Sequence, residues 1–192
     1  MRPLLPALAL AAALAAPAAA QFADRAALET LHGTFASPQV EAWYGGYGTR
    51  EFVFADGRWS LTFTHALDRA MTQRTFQFRT GGAYRVEAPS PAVPGAWHTV
   101  FQEAWKHVTL LTPSPQVAAA LRMAECGLTV NLEADISATG RASWRPVSEC
   151  GEDHDLLALS PAGLQFGVRP ADNDMCTADR LPTALLPPVV AR

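Results

Sequence analysis

The chain has 192 residues with a formal charge of −3, and 17% of it is charged while 49% is hydrophobic. So weak and dispersed a negative charge excludes a clustered basic face for nucleic acid, and so apolar a composition excludes a disordered chain. With 15 Lys and Arg against 18 Asp and Glu, neither sign dominates any long stretch.

Residues 1–20 carry the marks of a secretory signal peptide. Met1-Arg2 gives a short basic start, Leu4 to Ala16 is almost wholly Leu and Ala, and Ala18-Ala19-Ala20 precedes Gln21 as a small-residue cleavage site. The apolar run is short for a spanning helix, which needs roughly 20 such residues. Cleavage leaves a chain long enough for one domain with its own core, expected over 21–170, and a Pro-rich, irregular tail over 171–192 packed on it. The expected location is periplasmic or extracellular, as a monomer that does not span the membrane.

Asp24 to His32 reads as a short amphipathic helical turn. From Thr49 onward period-two alternation dominates, the mark of half-buried antiparallel strands. Phe52 and Phe54 share one face of the first strand; Trp59, Leu61, Phe63 and His65 share one face of the next. Asp56-Gly57 between them is a hairpin-turn pair, because glycine accepts the positive φ required there. Arg74 to Arg79 places Phe76 and Phe78 inward. Gly81-Gly82 is expected to turn the chain, with Tyr84 and Val86 inward on the strand after it. Ala96 to Thr112 is long enough for two strands or one strongly bent one, with Trp97, Thr99 and Phe101 on one face, then Val108 and Leu110.

Ser114 before Pro115 marks a helix start, with N-cap and first-turn proline, and Gly127 follows its expected end. Beyond it, Leu128 to Ile136 alternates. Ser137 to Thr139 is expected to turn the chain into Arg141 to Val147, with Ala142 and Trp144 inward. In that register Leu132 faces Trp144 and Cys126 faces Cys150, all on the inward side. The expected disulfide is therefore Cys126–Cys150, with Cys176 the odd thiol. Asp155 to Leu159 and Leu164 to Arg169 read as the last strands. The total is eight to nine short antiparallel strands and one helix packed outside, for which an up-and-down barrel is the simplest closed solution and a sandwich the second.

The layout resembles a known family at particular residues. Leu31 to Phe35 (LHGTF) is similar to the Gly-x-Trp opening of lipocalin-like barrels, with Phe35 in the place of Trp. Gly33 to Ser37, then Arg50-Glu51-Phe52-Val53-Phe54, Trp59 and Phe63 resemble the adenomatosis polyposis coli down-regulated domain family. The similarity continues through Gly82 to Val86, Val108-Thr109, Cys126-Gly127, Trp144, Cys150 and the closing RLPTALLPP, Arg180 to Pro188. What the resemblance implies is a secreted lipocalin-like barrel with an interior for an acyl chain, such as the lipid on Wnt. The chain departs from the family in having one barrel rather than two, no C-terminal anchor helix, and fewer early cysteines; Wnt itself is not the expected partner.

Three chemical readings remain in view. GEDHD, Gly151 to Asp155, sets Asp153 and Asp155 beside His154, a set that could hold a metal or exchange protons in a small exported hydrolase; the plainer reading is a polar loop. Cys176 could meet His65, His98 or His107 as a nucleophile and base. Asp172-Asn173-Asp174 lacks the glycine and distant glutamate of a calcium loop. The leading expectation is a non-enzymatic barrel with no catalytic residues, no metal and no cofactor, binding an acyl chain or lipid. Its expected lining is Phe52, Phe54, Trp59, Phe63, His65 and Phe76, then Phe78, Tyr84, Trp97, Phe101 and Trp144. His65, Arg74 and Arg50 share that face and could meet a head group. The same rings could instead fill the interior, which would leave an envelope interaction module with a solid core.

Overall fold

The computed structural model describes residues 22–124, 127–141 and 144–192. The segment read as a signal peptide, Cys126 and Ala142 lie outside them.

Two chain reversals of one kind start the sheet. β3 (Gly46–Ala55) and β4 (Arg58–Ala66) pair from Tyr47↔Ala66 to Ala55↔Arg58. Asp56 and Gly57 have φ of 51° and 70°, the double left-handed geometry that matches the twist of the flanking strands. β2 (Glu41–Trp43) folds back on β3 through Tyr44 and Gly45, also with positive φ. Alternation in β3 is clean: Arg50, Phe52 and Phe54 are buried and Val53 faces water.

β5 (Arg74–Pro89) is one 16-residue strand, so the turn expected at Gly81-Gly82 is not there. Those glycines serve close approach instead. A Cβ on Gly82 would sit 2.3 Å from the Gln102 carbonyl oxygen, and one on Gly81 would sit 2.6 Å from that of Trp59. β6 (Trp97–Gln102) and β7 (Trp105–Leu110) lie along the same edge of β5, one on each half. Ala96 to Thr112 is thus a bent strand, broken at Glu103-Ala104, and the two halves go on to different neighbours.

β7 continues to β8 (Glu133–Asp135), while β6 pairs with β9 (Glu152–Ser160) and β9 with β10 (Gly163–Phe166). On the other side β1 (Gly33–Ala36) pairs with β3, and β11 (Val190–Ala191) pairs with β1. Bridges Leu164↔Val189 and Gly167↔Leu185 join the tail to β10. The ring therefore runs β10-β9-β6-β5-β4-β3-β1-β11, an antiparallel barrel of eight strands that is nearly closed, with β7 and β8 extending beside it. The tail is irregular from Pro170, yet its last residues are the closing stave.

Two helices are short. In α1 (Arg25–Glu29) Asp24 accepts from the Ala27 amide, and Leu28 is fully buried against the barrel end. In α2 (Pro115–Ala120) Ser114 caps and Pro115 opens the first turn, as expected, but the helix stops well before Gly127.

The expected hairpin between residues 126–136 and 141–150 does not form. The segment before Ile136 pairs with β7 instead (Val108↔Ala134), leaving Leu132 exposed. The Gly140 amide donates to the Ile136 carbonyl and Arg141 bridges to Trp144, and among the described residues no return strand runs back along the segment before Ile136. Cys150 bonds Cys176 rather than Cys126, with their Cα atoms 5.2 Å apart.

Candidate functional site

One end of the barrel is filled. Phe35, Phe54, Val86, Leu157 and Leu164 pack there with Leu28 and Leu31 from α1 and the chain beyond it. The Tyr84 hydroxyl donates to the Leu28 carbonyl at 2.8 Å, fastening the helix over that end. Toward the other end the interior opens into a cavity of about 560 Å³.

The cavity is aromatic on one side. Phe52 and Phe166 stack with centroids 3.9 Å apart, and Trp59 meets Phe101 edge-on at 4.8 Å. Phe78 and Trp144 stack at 4.7 Å on the wall. Of the residues expected to line the interior, Phe52, Trp59, Phe63, Phe78, Phe101 and Trp144 border this space. The other five do not. Phe54, Tyr84 and Trp97 belong to the filled end, packed with the cluster beneath α1. His65 is buried between the Thr75 hydroxyl (2.7 Å) and the Trp43 carbonyl, stacked on Phe76, and desolvation holds its pKa below the ordinary value. Arg74 is exposed.

The opposite side is polar and buried. Glu103, at the bend between β6 and β7, receives the Lys106 ammonium at 2.7 Å; Lys106 also donates to the carbonyls of Cys150 (2.6 Å) and Arg145 (3.0 Å). Burial pushes the Glu103 carboxyl up to about 7, helped by nearby Asp153 and opposed by Lys106. Asp153 accepts from Arg169 at 2.7 Å. Burial works against the Arg169 charge, but the attractions of Asp153, Tyr44 and Asp155 together outweigh it and keep the guanidinium above its ordinary pKa. Asp155 accepts the amides of Leu156 (2.6 Å) and Gly167 (2.9 Å), and its desolvation raises it to about 7 even with Arg169 near. Arg50, on β3, is 4% exposed and gripped on one edge by Glu41.

A polar strap crosses the mouth. Tyr44, at the β2–β3 turn, donates to the Asn173 side-chain oxygen at 2.9 Å, and the Arg169 Nε donates to the same oxygen. The Cys150–Cys176 bond tethers the chain just beyond Asn173 to the root of β9. Arg180 holds Asp172, and Arg145 faces Asp174 at 3.6 Å.

Strand alternation takes the GEDHD set apart. Asp153 and Asp155 face the cavity from β9, while His154 lies 3.8 Å from Glu152 on the outer face. The three do not meet as a catalytic or metal-binding unit. Glu103, Cys150 and Asp153 do bring ligand-type atoms within 4.8 Å of one another. The sulfur is spent in the disulfide, however, and each carboxylate already holds a cation.

The inward Asp153 and Asp155 were findable: carrying the period-two pattern upstream from Leu157 puts both on its face. Glu103 and Lys106 were findable in the same way: Glu103 continues the face of Thr99 and Phe101, and Lys106 shares the face of Val108 and Leu110, with the break at Glu103-Ala104 between them. A scan against protein-family models finds no match, and a search of curated proteins finds none either.

Proposed function

We propose that this barrel is an exported, non-enzymatic carrier of a hydrophobic ligand, an acyl chain or lipid, held in its interior. The observation behind the reading is the cavity of about 560 Å³, within the usual few-hundred-Å³ range of small-molecule sites, with an aromatic wall for an apolar chain facing a polar side for a head group. The polar groups are largely neutralised pairs, which suits holding a molecule more than transforming it. The resemblance to the adenomatosis polyposis coli down-regulated domain family points the same way. The disulfide favours an oxidising compartment. Among the described residues no helix is long and apolar enough to cross a membrane. The filled end accounts for part of the aromatic inventory only, so an interaction module with a solid core is the weaker reading.

Native mass spectrometry before and after delipidation tests the proposal. An adduct in the lipid mass range that disappears on delipidation and returns with added acyl compound supports it; no adduct together with no uptake of any acyl compound overturns it. One observation favours a hydrolase instead: Glu103 and Asp155 are two buried carboxyls with pKa near 7 at a cavity, values suited to proton transfer. Ester hydrolysis abolished by Asp155→Asn would establish that alternative.

A further inference from the structure

Arg50 carries an unmet demand. Its Nε and Nη2 donate to the two Glu41 oxygens at 2.9 and 2.8 Å, and Nη2 also donates to the Pro187 carbonyl at 2.9 Å. Glu41 is itself held by the Ser37 hydroxyl (3.0 Å) and the Trp43 indole N–H (2.8 Å). The guanidinium is therefore fixed in place from one edge. Its remaining amino group, Nη1, is the one buried side-chain nitrogen or oxygen among the described residues with no hydrogen-bond partner. Folded interiors pair nearly all such groups; Arg50 borders the cavity, and although Nη1 is sealed by its neighbours, an occupant that shifts them slightly can supply the acceptor it lacks.

The surrounding charges say what kind of acceptor. Arg50 is matched by Glu41, Lys106 by Glu103 and Arg169 by Asp153, and Asp155 is a further carboxyl beyond those pairs. Arg122 and Arg145 stand at the exposed rim, where water screens them. The interior has no spare positive charge. A ligand carboxylate would be buried as an excess anion beside Asp155, a costly arrangement. An ammonium head would add a cation beside Arg50 and still leave Nη1 without an acceptor. A neutral carbonyl oxygen satisfies the donor and buries no charge.

We propose that the cavity selects a neutral carbonyl-bearing acyl compound, an ester or amide of a fatty chain, whose carbonyl oxygen accepts from Arg50 Nη1. This rests on the hydrophobic-ligand reading and adds to it the chemistry of the head group. The test is displacement of the neutral fluorophore N-phenyl-1-naphthylamine by methyl laurate, laurate, dodecylamine and dodecane at pH 8, on the whole folded protein, with direct binding of each followed by native mass spectrometry. Methyl laurate should bind on the order of tenfold tighter than dodecane or laurate, the scale of one charge-assisted hydrogen bond. Arg50→Lys keeps a cation for Glu41 but lacks the second amino group, and should bring methyl laurate down to the dodecane affinity. If that variant does not fold, the wild-type series decides alone. Laurate or dodecylamine binding as tightly as the ester overturns the proposal. So does an ester no better than dodecane, which leaves the hydrophobic-ligand reading standing. Binding of none of the four removes both.

Discussion

Asp155 and Lys106 show how much depends on single buried charges. A carboxyl with an ordinary pKa near 4 and a folded value of about 7 holds its proton more tightly in the native state. The stability this confers is fully present below pH ~4 and is lost as pH rises through about 7. Asp155→Asn keeps the acceptor for the Leu156 and Gly167 amides and removes the titration. The wild type should therefore lose on the order of 2–4 kcal/mol relative to the variant between pH 4 and pH 8, at about 1.4 kcal/mol per unit, read from denaturant unfolding across that range. His65 acts with the opposite sign, since its depressed value costs stability as pH falls below about 6.5, but it is common to both proteins and cancels in the comparison. Lys106→Ala leaves Glu103 buried without its cation. A loss of about 3–5 kcal/mol is expected at pH 8, and a smaller one at pH 5, where Glu103 takes up a proton.

Among elements, two glycines with different duties give a quantitative contrast. Gly57 turns the β3–β4 hairpin at φ 70° with open space around its Cα, so Gly57→Ala costs only backbone strain, about 1 kcal/mol. Gly82 lies within a strand where an added Cβ meets the Gln102 carbonyl, so Gly82→Ala has to part β5 from β6 and should cost at least twice as much in a chemical unfolding series. The same contrast explains what the sequence made legible. Asp56-Gly57 sits between alternating runs, and local pattern alone fixes its hairpin. Gly81-Gly82 looks like a second turn, because the reason for it is a neighbouring strand some twenty residues on. Alternation alone turns the rings of the aromatic wall inward, and it does not separate those that border the cavity from those that pack the filled end. The inward placing of Glu103 and Lys106 follows from the parity of the two strands that meet at the bend, whereas the Cys150–Cys176 bond depends on the tail docking across the mouth, which leaves no periodic trace.

For the whole molecule, the barrel is held at two places by its tail. The Cys150–Cys176 bond closes a loop over a separation of 26 residues, for which loop entropy gives about 3–4 kcal/mol. Non-reducing peptide mapping should recover those two cysteines joined, and the Cys150→Ser/Cys176→Ser double variant should unfold at correspondingly lower denaturant. Deleting residues 189–192 removes β11 and the Val189 bridge to β10, leaving β1 an open edge and uncovering the start of β10, whose end stays paired with the chain at Leu185 and Leu186. That truncation should lower the melting temperature and bring concentration-dependent aggregation visible by light scattering. The position of this stave also orders events in time. Phe35 pairs with Ala191, so the chain from one to the other must be in place before β1 finds this partner. Until then the nascent sheet has two bare rims, and so wide a span between partners makes closure slow. A cell making this protein has to shield an unfinished cylinder for the whole of that delay.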